Sequence, residues 1–170
     1  MNGPLRIDQL IHSDGRSVQD IANLCQAMAQ SYKKLLGNDL VLPHDDSTIV
    51  ADRIFQHNAV VLAHNTLPDP QFIFANQTAM NLWEMSWNEM VGMPSRLSAE
   101  PDFRPDREQL LERVRQFGYI DNYSGIRISK SGKRFLIENA IVWNLYDENQ
   151  ERIGQAATFS QWKPIEEKNS

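Results

Sequence analysis

With Cys25 as its only cysteine, the chain closes no internal disulfide and builds no Cys-rich zinc cluster. Long apolar runs are missing too. The longest, Ala59-Val60-Val61-Leu62-Ala63, falls far short of the roughly 20 residues a membrane span needs, so no membrane partner is expected. No basic segment leading into an apolar one opens the sequence, which removes the signal-peptide pattern. A lone thiol fits a reducing compartment, and the expected location is cytoplasmic. Positive charge is in deficit: 17 Lys and Arg stand against 22 Asp and Glu, for a net charge of −5. A nucleic-acid binder shows a basic stripe. The best stretch here, Lys130-Ser131-Gly132-Lys133-Arg134, has the composition of a solvated hairpin turn, so no nucleic-acid partner is expected. No histidine pair has metal-ligand spacing, and no nucleophile elbow or phosphate loop is present. Neither a catalytic set nor a metal site is expected, and the chain reads as a non-enzyme.

What is present is enough for one domain with an appendage: 170 residues, 41% of them hydrophobic and 23% charged. Residues 1–16, with Gly3, Pro4, Asp14 and Gly15, read as a flexible arm. Residues 17–57 form a helical segment. Ser17-Val18-Gln19-Asp20 is a helix start, and Val18, Ile21, Leu24, Cys25, Met28, Tyr32, Leu35 and Leu36 recur at helical spacing up to Gly37. After Pro43, Ser47 is the expected cap of a short helix ending at Phe55. A core over 58–162 follows, then a tail, 163–170, expected to be disordered. In the core, Val60–His64 and Phe72–Phe74 read as strands. Asn76 sits at an N-cap position before the apolar face of Ala79, Met80, Leu82 and Trp83. A catalytic asparagine would need a base or nucleophile beside it; none is recognisable, so Asn76 serves geometry. Ser86-Trp87-Asn88-Glu89 is a capping box, and Pro105 opens a helix that Gly118 closes. Three antiparallel strands are predicted at about 119–129, 134–146 and 152–162.

Two strands, a helical middle and a three-strand meander are the element order of the PAS fold. More specifically, PSRLSAE (94–100), GIRIS (125–129), VWNLYDE (142–148) and GQAATFSQW (154–162) resemble the MEKHLA domain, a PAS-related family, in its stand-alone bacterial form. The resemblance covers about residues 20–162 and makes 58–162 a PAS-like MEKHLA core. It implies an α+β fold: a five-stranded antiparallel sheet with short helices on one face and an N-terminal flanking helix. It also implies signalling, through a small ligand held between sheet and helices or through a protein partner. No catalytic residues come with it.

Light-oxygen-voltage flavin chemistry needs a cysteine facing the ring. None exists between residues 26 and 170, so a cysteine-adduct flavin is excluded; haem is disfavoured, and the cofactor is left unknown. His12 and His44 fall in predicted loops and His57 at a helix end, leaving His64 as the one histidine in a strand, where a buried, hydrogen-bonded imidazole is the plainer role. Strict alternation along 134–146 puts Phe135, Ile137, Asn139, Ile141, Trp143 and Leu145 on one face, with Asn139 as the polar interruption, either bonded within the protein or reaching a ligand. Arg127 has the fork for a carboxylate ligand, or pairs with Glu138 across the sheet. Trp83, Trp87, Trp143 and Trp162 are an aromatic wall or simply core. Arg96 lies near the expected pocket mouth, or ties its loop to an acidic neighbour. Thr158 lies in a strand whose small residues leave room for a ligand or a close helix. The ligand-binding candidates are therefore His64, Trp83, Arg96, Arg127, Asn139, Trp143 and Thr158. Residues 17–36 either cover the domain's own sheet or pair with a twin in a homodimer. Two other functions stand beside the sensor: a ligand-free interaction scaffold, and, remotely, a small acid–base enzyme using His64 with Asp121 or Glu138.

Overall fold

Helix starts are set by side chains that sequence alone identifies. In the computed structural model, which describes residues 6–7, 15–101 and 104–166, helix α1 (Val18–Leu36) opens with a reciprocal cap. Ser17 Oγ accepts from the Asp20 N–H (3.0 Å), and the Asp20 carboxylate accepts from the Ser17 N–H (2.9 Å). Gly37, at φ 86°, ends it in the left-handed region. Helix α2 (Ser47–Phe55) is capped by Asp46 rather than by Ser47. The Asp46 carboxylate takes both the N–H and the hydroxyl of Thr48 (3.0 and 2.7 Å), and a full negative charge outcompetes a serine hydroxyl at a helix N-terminus. Most of the expected arm, including His12, and residues 167–170 of the expected tail lie outside the described residues.

Strands β1 (Val60–His64), β2 (Phe72–Ala75), β3 (Tyr119–Ile128), β4 (Arg134–Tyr146) and β5 (Arg152–Phe159) form the expected antiparallel sheet, in the order β2-β1-β5-β4-β3. The chain bends at Ser160, and a sixth strand, β6 (Gln161–Ile165), continues along the half of β4 that β5 leaves free. Lys163, Pro164 and Ile165 thus pair opposite Leu136, Phe135 and Arg134, although the sequence predicts a disordered tail from 163. Between the strands lie α3 (Gln77–Trp83), α4 (Trp87–Met90), a 3-10 turn at Ser95–Ser98, and α5 (Arg104–Phe117).

Asn76 holds the first half of this arrangement. Fully buried, its Oδ1 accepts from the N–H groups of Ala79 and Val61 (both 3.0 Å), and its Nδ2 donates to the carbonyls of Ala59 (2.8 Å) and Ile54 (3.1 Å). One amide therefore caps α3, ties it to β1 and seals the end of α2. Its role is geometric.

The alternation predicted for β4 fails at one residue. Asn139 has φ 55°, and the β3–β4 register slips there: Gly125 faces Ile137, but Tyr123 faces Ala140. A second slip, beside Asn122 (φ 55°), restores the register so that Ile120 faces Val142. Asparagine tolerates the left-handed region that a bulge requires. Beyond the bulge the faces exchange. Phe135 and Ile137 share the inner face with Ala140 and Val142, while Ile141, Trp143 and Leu145 turn to the outer face. There α1 covers the sheet: Trp143 donates its Nε1–H to the Met28 carbonyl (3.2 Å) and meets Tyr32 edge-on at 5.0 Å. The apolar side of α1, including Ile21, Ala22, Cys25 and Met28, is used against the chain's own β4 and α2.

Candidate functional site

The inner face of the sheet curves beneath α3 and α5 around a cavity of about 60 Å³. That space is enough for a few ordered waters or a small organic molecule. Leu62, Phe72, Ile137, Ala140, Val142, Ala157 and Phe159 from the sheet, with Leu110 and Leu111 from α5, make it mainly apolar. Polar groups enter at a few points: His64 on β1, Gln155 opposite it on β5, Tyr123 and Arg127 on β3, Ser98, Arg107 on α5, and Trp83 at the end of α3.

These polar groups are buried and incompletely bonded. His64 is 6% exposed; its Nδ1–H donates to the Asn65 carbonyl (2.9 Å), which leaves Nε2 as a bare acceptor without a partner. Gln155 donates Nε2–H to the Leu111 carbonyl (3.0 Å), while its Oε1 is also unpartnered. Gln155 favours a proton on the imidazole, but two acceptors facing each other close no hydrogen bond. Burial dominates and pushes the His64 pKa from 6.5 down to about 4, so the ring is neutral at neutral pH. Trp83 Nε1–H lacks an acceptor as well. Each such orphan is costly to keep dry.

The charges are one-sided. Arg107 and Arg127 are 5% and 8% exposed, and no carboxylate lines the cavity among the described residues. Arg107 donates to Ser95 Oγ (2.5 Å), and Glu108 approaches only to 4.0 Å with its own side chain largely in water. Burial first, and Arg127 second, bring the Arg107 pKa down to about 10; it is still a cation at neutral pH. Arg127 folds back along β3, donating to the Ile126 carbonyl (2.9 Å) and the Tyr123 hydroxyl (3.2 Å). Gly125 makes that fold-back possible. A Cβ there would lie 2.5 Å from the Tyr123 hydroxyl oxygen and 2.9 Å from Arg127 Nη1.

Of the seven sequence-predicted residues, His64, Trp83 and Arg127 come together around this cavity. The ion pair weighed for Arg127 does not form: Glu138 pairs instead with Lys163 (3.2 Å). Arg96 points away and binds Asp69 (3.2 Å). Asn139 is exposed on its bulge and donates to Gln161 (2.7 Å). Trp143 lies under α1, across the sheet. Thr158 pairs with Ile141 and Val61 on that same outer face, because the small residues of β5 that line the cavity are its neighbours. The four tryptophans form no common wall: Trp87 packs on Phe74 and Trp162 on Phe159. Neither carboxylate suggested as an acid–base partner is bonded to His64, Asp121 being exposed on β3. Arg107 and Gln155 were missed. Arg107 starts the stripe Arg107, Leu110, Leu111, Val114 at helical spacing, a signal hidden by the charged residues around it. Among the described residues there is no cluster that could hold a metal ion, and no helix long and apolar enough to cross a membrane.

A family model described as the MEKHLA domain matches residues 22–164. A curated relative, the homeobox-leucine zipper protein REVOLUTA of Arabidopsis thaliana, is 26% identical over 151 residues; the match takes in 84% of this chain but only 18% of that protein. Among solved structures, a PAS domain from Colwellia psychrerythraea superposes with a TM-score of 0.55 at 18% identity, covering 66% of this chain and 90% of that one. A light-oxygen-voltage protein of Rhodobacter sphaeroides superposes at 0.53 with 8% identity, covering 62% and 60%. At these identities the structural likenesses establish the fold alone.

Proposed function

Because the chain belongs to the MEKHLA domain family, we propose that it is a non-catalytic sensory module that reads a small ligand held between sheet and helices. The PAS-type fold supports a sensory role. The carrying observation is the cavity itself: a buried space lined by His64, Gln155 and Trp83, whose Nε2, Oε1 and Nε1 atoms are buried without a partner. A scaffold with no ligand would be expected to fill such a space with side chains, since interiors pack to crystal density. A flavin does not fit here. The space is several times smaller than pockets for molecules of that size, and Cys25 is buried in α1 on the opposite side of the sheet.

Native mass spectrometry of the purified protein, with thermal shift across a panel of small metabolites, tests this. The expected outcome is a carried mass, or a rise in Tm with at least one compound class, by linkage of binding to folding. A protein without bound mass and with a flat panel would favour the scaffold instead.

A further inference from the structure

The cavity is unusual in the sign of its charge. Two guanidinium groups are buried in its wall, Arg107 loses tolerance for its charge through burial and the neighbouring Arg127 cation, and no described carboxylate answers them inside. Buried charges are ordinarily paired, because an isolated one costs several kcal/mol after relaxation. Each guanidinium also keeps N–H donors in hand: Arg127 uses two nitrogens on Ile126 and Tyr123, and Arg107 uses one on Ser95. Farther along the wall the demand is reversed. His64 Nε2 and Gln155 Oε1 are both acceptors, and both lack a donor.

From this arrangement we infer that the cavity takes a small organic carboxylate bearing a hydroxyl or amino donor away from its carboxyl group. The inference rests on the ligand-binding function proposed above and adds the ligand's chemical class. The carboxylate is planar and singly charged, which suits an arginine fork. Its hydroxyl or amine supplies the proton that neither His64 Nε2 nor Gln155 Oε1 has. The apolar remainder of the wall calls for a carbon body, which inorganic phosphate lacks. A phosphate ester would fill most of about 60 Å³ with its head group alone. Gly125 keeps clear the space over which Arg127 folds back, so the basic end is built into the sheet rather than hung from a loop.

Calorimetry and thermal shift with three matched sets test the class: glycolate and its amide, lactate and lactamide, 4-hydroxybutyrate and its amide, with butyrate and inorganic phosphate alongside. At least one hydroxy acid should bind about tenfold or more tighter than its amide, the worth of a charge-assisted hydrogen bond, and tighter than phosphate. 4-Hydroxybutyrate should also bind more tightly than butyrate, which lacks the hydroxyl donor. Arg127→Gln should remove the preference for acid over amide while leaving the Tm of the ligand-free protein equal or higher, because one buried cation is relieved. The acid–amide comparison needs no variant and stands even if Arg127→Gln fails to fold. Amides binding as well as acids, or phosphate binding best, would overturn the carboxylate while leaving a ligand site. No binding by any compound, with no mass carried on purification, would overturn both.

Discussion

His64 is a residue whose protonation the fold opposes. In the unfolded chain it takes a proton near pH 6.5; in the fold, burial defers that to about 4. Between those values the unfolded state binds more protons, so stability rises with pH there. The contribution is complete above about pH 6.5 and is lost as pH falls through 4. Urea unfolding at pH 7 and pH 4.5 should show the wild type losing about 2–3 kcal/mol more than His64→Gln, which has no imidazole to protonate. Equal losses in the two proteins would mean that the ring is wetter than its 6% exposure indicates.

At the scale of elements, caps and turns were the legible part. Ser17, Asn76 and Ser86 announce helix starts because a side-chain oxygen on a free N–H is a local interaction, and local interactions are written in neighbouring letters. Strand faces were legible only up to Asn139. A bulge inserts one residue and inverts everything after it, and nothing in the letters GIRIS or LIENAIVW marks that insertion. Strict alternation for that reason puts Asn139 and Trp143 on the cavity face, which Ala140 and Val142 in fact occupy. Arg107 was illegible for another reason: a charged residue near a helix start reads as solvated until the packing of α5 on the sheet is known. The bulge carries its own prediction. Asn139→Gly should fold as well as the wild type, since glycine accepts φ 55° freely, whereas Asn139→Val should cost about 1–2 kcal/mol by strain in the left-handed region. Denaturant midpoints decide between them; equal stability of the two variants would mean that the bulge relaxes away.

Taken whole, the molecule is a sheet with a cover on each side, and the covers differ in grip. Helix α1 joins the main core through Ile21, Cys25, Met28 and Tyr32. Helix α5 contributes Leu110 and Val114 to a small separate cluster with Val142. Its amides should therefore exchange with solvent faster than those of β1 and β5, and a cavity ligand should slow α5 more than α1; uniform protection would show both covers opening together. Val142 and Trp143 are consecutive, one touching the cavity and the other the backbone of Met28 in α1. The thickness of a single strand is all that divides the chamber from the opposite helix. Because tightly packed matter passes strain along instead of absorbing it, a guest that presses Val142 outward presses, through the next peptide link, on α1 as well.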